Sequence, residues 1–356
     1  VVLAAEPQRR VNVRRIDVIS AESGADHPER GTYKSTTLDA AYNCASIQRL
    51  ICVNTSKVAT VIGNSGIAAD ERDLTLVLVN DTTYGGSGGS VAVASLHPQT
   101  VELVLHETGH TFALLGDEYG GTASCTGTEP AYPDVTVQSS RASIKWNAWI
   151  DPATPIPTTT TNPSVPGLFT GGNYCNVGFY RPSYDSKMRT LGVPFYQVDQ
   201  EAHVLRIYNF VSPIDGSSPA GTDVTIGSSQ TFSVTPTVPA SHALSTTWAL
   251  DGVQQGTGNQ FTLSNLASGM HTLTATVTDG TSWVRNDPNT LLSDVRTWIV
   301  SLPGTGPGAF NKLSPAGGAT ITGTTTTLSW GSSLGAAAYE YCIDTIALSP
   351  PYISSS

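Results

Sequence analysis

Two histidines four residues apart, His106 and His110, enclose Glu107 in the string His106-Glu107-Thr108-Gly109-His110. The pattern is H-E-x-x-H. On a helix, residues four apart share a face, so both imidazoles can grip one metal ion. Glu107 follows the first ligand and can take a proton from water without binding the metal itself. That combination is the working core of a zinc peptidase. The reading predicts His106 and His110 as metal ligands and Glu107 as catalytic base.

Such a motif needs a helix and a sheet to hold it. Residues 99–115 give the best helical pattern in the chain, with Val101, Val104, Leu105, Phe112 and Leu115 on its apolar side, and Gly116 expected to end it. Residues 74–79 (LTLVLV) read as a buried central strand, and Val91–Ser95 as a short edge strand. Between them, Tyr84–Gly89 reads as a flexible turn. That order predicts an open sheet edge beside the metal, to which an extended peptide could add. No Lys-Ser/Thr follows the glycines, so the turn is not a phosphate loop. Residues 14–20 (RRIDVIS) are expected as a strand, 58–69 as a helix capped by Thr55 or Ser56, and 196–211 as a helix. Residues 120–195 read as loop, with prolines at 152, 155, 157, 163 and 166.

The chain divides by pattern into a catalytic domain at 1–211, an all-β module at 212–302, and a linker with a partial module at 303–356. TFSVTPTV, STTWALDG, QFTLSNL, HTLTATVTDG and TWIVSL are short strands with turn residues between them, which suggests an immunoglobulin-like sandwich. ATITG, TTLSW and YEYCIDT are the expected strands of the last, fibronectin-like segment.

Net charge is −10, with 18 Lys plus Arg among 356 residues and 13% charged residues. That leaves no basic patch for nucleic acid and no polybasic stretch for anionic lipid. No apolar run reaches the roughly 18–20 residues of a membrane span. The start, VVLAAEPQRR, lacks a charged n-region, so a secreted form is expected to have lost its leader already. Five cysteines without a C-x-x-C pair point to disulfides and an oxidising compartment. Cys44 with Cys52, and Cys125 with Cys175, are the expected pairs, each within one loop-rich segment, with Cys342 left over.

The longer string HETGHTFALLGDEY resembles the immunoglobulin A peptidase family of bacterial zinc metallopeptidases. So do Ser20–Pro28, Leu78-Val79-Asn80 with Tyr84-Gly85-Gly86, Gly178–Pro182, and Lys187-Met188-Arg189. The resemblance covers roughly residues 14–211. It implies an α+β metzincin-like fold, one zinc ion and secreted endopeptidase activity, with Met188 as the Met-turn residue beneath the metal. It does not imply that immunoglobulin A is cut. It also implies a further strand and helix before residue 14; with about a dozen residues there, the expectation is either a processed or truncated form or elements supplied differently.

The metzincin pattern continues H-x-x-G-x-x-H/D. Here Ala113 stands in the glycine place and Gly116 in the third-ligand place, and the first acid is Asp117. Asp117 is the expected third ligand, because Gly116 lets the chain turn back just before it. Glu118 and, from a later helix, Glu201 are the alternatives; if Asp117 binds, Glu118 is expected to point away and support a ligand histidine. Calcium is a second ion that no motif supports. Tyr119, Tyr180 and Tyr184 are candidate oxyanion donors. His27, His97 and His203 read as surface or capping residues.

The reading as a whole is a monomeric zinc endopeptidase acting on protein or glycoprotein substrates, its modules binding a glycoprotein or cell-surface ligand. The rivals are an adhesion protein that keeps a peptidase fold, and a zinc hydrolase acting on something other than peptides.

Overall fold

The computed structural model describes residues 12–68, 71–304, 306, 308–333 and 336–341. Its architecture is mixed α/β, with three α-helices and several small sheets among the described residues. None of those helices is long and apolar enough to cross a membrane. Cys342 lies outside the described residues, as does most of YEYCIDT.

Helix α1 (Thr55–Asn64) starts where the Asn54 side chain accepts the Lys57 N–H at 3.2 Å. Asn54, not Thr55 or Ser56, is therefore the cap. Val58 and Ile62, four apart, are its buried side. Residues 14–20 form no strand.

The first sheet contains β1 (Leu76–Val79), β2 (Gly86–Ser87) and β3 (Ala92–Ser95) in the order β1-β3-β2. Two expectations are corrected here. The apolar run LTLVLV is not a buried central strand: β1 lies at the sheet edge, and Leu78 is 51% exposed. The short 92–95 segment is the centre, buried at all four positions, because β1 pairs with it on one side and β2 on the other. The second correction concerns the free edge. Tyr84–Gly89 is not only a turn: it carries β2. Its outer side is already bonded, with Gly86 N–H donating to Arg49 C=O (3.2 Å) and Ile51 N–H to Gly86 C=O (3.3 Å). No open edge therefore remains at Gly86. Residues 49–51 are tied down by the Cys44–Cys52 disulfide.

Helix α2 (Thr100–Thr111) packs across β3 and touches β2. It ends at Thr111, with Phe112 as C-cap, before Gly116 is reached. The residue that reverses the chain is Leu114, at φ +58°, with Leu115 N–H donating to Gly109 C=O at 3.1 Å.

The region 120–195 holds a sheet that the sequence reading missed: β4 (Ala123–Ser124), β5 (Phe169–Gly172) and β6 (Cys175–Arg181), in the order β4-β6-β5. Its β5–β6 turn, Asn173-Tyr174, has positive φ at both residues, the mirror-image turn that suits a tight hairpin. The Cys125–Cys175 disulfide closes this region. Behind it, Ile144, Trp146, Trp149, Ile150, Leu168 and Val198 form an apolar cluster. Val198 brings in helix α3 (Gln197–Tyr208).

The remaining strands are β7 (Ile214–Ser218), β8 (Asp223–Thr225), β9 (Ser229–Pro236), β10 (Ser245–Leu250), β11 (Val253–Thr257), β12 (Gln260–Ser264), β13 (Gly269–Thr278) and β14 (Ser293–Leu302). They form a five-stranded sheet, β11-β10-β13-β14-β8, and a three-stranded sheet, β12-β9-β7. One core is shared between them. Leu273, Ala275 and Val277 alternate inward along β13, as period-two strands dictate, and meet Trp298 and Val300 of β14. Trp248 and Trp298 stack at 5.8 Å between centroids. Helix α3 is joined to this part: Tyr208 donates to Asp279 at 2.6 Å, and Arg285 N–H donates to Glu201 at 2.9 Å.

Among its described residues, the last segment holds only β15 (Lys312–Ser314) and β16 (Ser329–Trp330). ATITG is not a strand, and TTLSW contributes only its last two residues. Thr and Gly here have few apolar neighbours to pack against, so propensity alone does not hold them extended.

Candidate metal centre and active site

The centre is built on the last turns of α2. His106 and His110 lie on one face of it, and Gly109 between them sits against Met188. A Cβ on Gly109 would fall 2.7 Å from Met188 Sδ. Met188 is fully buried with Ala113, Leu115 and Ala202. It forms an apolar floor under the helix turn that carries the histidines.

Each imidazole is oriented by a backbone carbonyl. His106 Nδ1 donates to Lys187 C=O at 3.0 Å, and His110 Nδ1 donates to Leu115 C=O at 2.8 Å. Both Nε2 atoms are thereby left as lone-pair acceptors, 3.2 Å apart. The chain reversal at Leu114 returns Asp117 to them. Asp117 Oδ1 lies 3.3 Å from each Nε2 and makes no other hydrogen bond, although it is buried. Asp117 Oδ2 accepts from the Tyr174 hydroxyl. Tyr174 reaches it because the Asn173-Tyr174 turn docks on the same loop. Asn173 N–H donates to Asp117 C=O at 2.7 Å, and Tyr174 N–H to Tyr119 C=O at 3.1 Å. Tyr174 holds φ +64°, a conformation that costs a tyrosine energy, and its hydroxyl contact is what that backbone position provides.

Three ligand atoms therefore face one another at 3.2, 3.3 and 3.3 Å. Donors bound to a single zinc at about 2.0–2.2 Å in tetrahedral array are separated by about 3.3–3.5 Å. The buried, unpartnered donors thus fit a metal ion. Electrostatics agree. Burial works to raise Asp117, yet its contacts with the two imidazoles hold it well below the usual carboxylate range. Burial works to lower His110, yet the hydrogen bond and charge of Asp117 raise it to about 9. The pocket favours positive charge at one point.

Glu107 sits beside this point in a cleft of about 310 Å³, lined by Arg49, Tyr84, Gly86, Leu103, Tyr119 and Leu191 among others. Burial raises its carboxyl above the ordinary range, against the pull of the two histidines. Gly86 of β2 lies against it: a Cβ there would fall 2.6 Å from Glu107 Oε1. Gly88 likewise leaves room for His110, at 2.5 Å from a Cβ to the imidazole's own Cβ. The glycine run is shaped to admit helix α2.

The other candidates separate. Glu118 points away from the histidines, as expected, but supports neither: the Lys187 and Leu115 carbonyls do that. Glu201 accepts from Trp149 Nε1 and from Arg285 N–H, away from the centre. Of the three candidate tyrosines only Tyr119 lines the cleft, where Arg49 donates to its hydroxyl at 3.2 Å. Tyr180 packs in the tryptophan cluster, and Tyr184 lies under Arg189. His27 is not a surface residue. It is buried between Glu29 and Asp81 and stacked on Tyr42. His203 is partly buried against Phe195, while His97 accepts the Gln99 N–H at the start of α2. Arg49, Tyr84 and Tyr174 were missed. Only the positive φ of a tyrosine in a tight turn marks one of them, and that is not visible in sequence.

Residues 3–163 match the profile of the family described as IgA Peptidase M64. No curated protein matches the chain. The matched segment contains His106, Glu107, His110 and Asp117; Tyr174, Lys187 and Met188 follow it.

Proposed function

We propose that this chain, an IgA Peptidase M64 family member over residues 3–163, is a secreted zinc metallo-endopeptidase that cleaves protein or glycoprotein substrates. The observation that carries the reading is the set of three buried ligand atoms spaced for one small ion, with Glu107 beside them on a cleft. Two imidazole nitrogens and one carboxylate oxygen are a donor set suited to zinc. In this reading His106, His110 and Asp117 hold the ion and Met188 is the Met-turn residue of a metzincin-like domain at 1–211. When bound, zinc supplies Lewis acidity toward the scissile carbonyl and acidifies water.

The chain's own groups do the rest. Glu107 accepts the proton of the attacking water and returns it to the leaving amine. Its raised carboxyl makes it a stronger base for the first of these transfers. Tyr119 and Arg49 present donors toward the cleft, where negative charge develops on the carbonyl oxygen. Leu103 and Leu191 offer apolar contact to substrate side chains. The two disulfides support an oxidising, extracellular setting. The immunoglobulin-like module at 212–302 and the segment at 303–356 serve to space or bind a glycoprotein or cell surface.

Glu107→Gln tests the mechanism. Metal content and fold should persist while casein hydrolysis falls by about 10²–10⁴-fold. Near-normal turnover by the metal-loaded variant would remove Glu107 from the reaction.

A further inference from the structure

A second cluster lies behind the first. Glu118, Asp134 and Asp199 are all buried, and one oxygen from each lies within 4.8 Å of the others. They come from three segments: the residue after Asp117, the loop before β5, and the first turn of α3. Clustering alone does not make a site, but the state of their oxygens is a separate observation. Glu118 Oε1, Asp134 Oδ2 and both oxygens of Asp199 have no hydrogen-bond partner. Asp134 Oδ1 accepts Gly116 N–H at 2.7 Å, and Glu118 Oε2 has a long contact with Ser183, at 3.4 Å. Ser186 lies beside Glu118 and Asp199, the Tyr196 N–H lies beside Asp199, and Glu118 and Asp199 face each other. These donors are fewer than the buried acceptor atoms, and leaving such atoms unmatched is costly.

Arg181 does not resolve this. Its Nη atoms donate to the carbonyls of Thr170, Gly171 and Tyr184. With all three carboxylates ionised, they and the Arg181 guanidinium carry a net charge of −2. One divalent cation closes that balance. Burial and the charge of Asp199 push Asp134 well above the usual carboxylate range, which is the strain a cation would relieve.

We propose that Glu118, Asp134 and Asp199 bind a calcium ion, distinct from the ion held by the histidines. The donors are all oxygen, which selects a hard cation over zinc. Magnesium dehydrates reluctantly and keeps several waters, so a set of buried protein carboxylates suits calcium better. The ion would fasten three things that meet at the catalytic centre: the loop bearing Asp117, the turn leading to Met188 through Ser183 and Ser186, and the N-terminus of α3. The site stands on its own residues and does not depend on the peptidase reading.

The test uses the full chain, loaded with one equivalent of zinc in calcium-free buffer, and calcium chloride as the probe. Calorimetric titration and elemental analysis after desalting should find one equivalent of calcium, and the melting temperature should rise by several degrees. Asp199→Asn and Asp134→Asn should lose that equivalent and the melting shift while zinc content stays at one. Asp134→Asn keeps an acceptor for Gly116 N–H, so it decides the matter if Asp199→Asn does not fold. A wild-type protein that takes up no calcium at millimolar concentration overturns the proposal, and the carboxylates then share protons instead. Calcium uptake by Asp134→Asn equal to that of wild type overturns it as well.

Discussion

Tyr174→Phe removes one oxygen atom and asks what a single hydroxyl contributes to metal binding. In the folded chain that hydroxyl is the donor to Asp117 Oδ2, while Oδ1 faces the two histidines. A hydrogen bond to a charged group contributes about 1.5–3 kcal/mol. Tyr174 is half exposed, so water can partly replace the lost donor, and the low end of that range applies. About 1.5 kcal/mol corresponds to about a tenfold change in affinity, within the about 10–100-fold loss seen when support of a metal ligand is removed. The phenyl ring keeps its edge contact with Tyr119, at 5.1 Å, so the hairpin should stay docked. Zinc affinity measured by competition with a chromogenic chelator should fall about tenfold, while turnover at saturating zinc changes little. Tyr119→Phe is the control, because its hydroxyl meets Arg49 rather than Asp117. An affinity for Tyr174→Phe within about twofold of the parent, or an equal loss in Tyr119→Phe, would refute the reasoning.

Leu114→Gly should raise stability by about 0.5–1 kcal/mol in chemical denaturation, because Leu114 is half exposed yet held in the left-handed region. A loss of more than about 1 kcal/mol would mean that its side chain packs in a way that its exposure hides. Gly86→Ala should cut turnover at least about tenfold with metal content unchanged, since its methyl group meets Glu107 Oε1 at 2.6 Å. Full activity in that variant would show that the base can move aside. Trp298→Ala should destabilise the β-rich half by about 3–5 kcal/mol, read from denaturant unfolding, since the ring is fully buried and stacked on Trp248.

What the sequence made legible was local. The apolar side of 99–115 and the pair His106/His110 are spaced within one helix, so a period of 3.6 reveals both. The helix 196–211 and the alternating strands β9, β10, β12, β13 and β14 were also readable locally, whereas β11 was not. Asp117 was also indicated, but for a reason the fold does not use: the reversal occurs at Leu114, not Gly116. Long-range partners left no trace. Tyr174 is 57 positions from Asp117, and the carbonyl that orients His106 is 81 positions away. A backbone carbonyl has no signature in a sequence at all. The same holds for Glu118, Asp134 and Asp199, three ordinary acids until the chain brings them together. The strand 76–79 misled because a continuous apolar run looks identical whether both flanks or only one are paired.

The left-handed Leu114 has a consequence for recognising related chains. A ligand interval in a zinc motif measures how many residues the chain needs to reverse, and that number depends on the turn chosen. Here the turn takes one residue more than a glycine-based reversal, and Asp117 arrives at the histidines regardless. A search string that fixes a glycine three places after the second histidine, and a ligand three places after that, would pass over this protein. One that fixes the destination and lets the interval vary would find it.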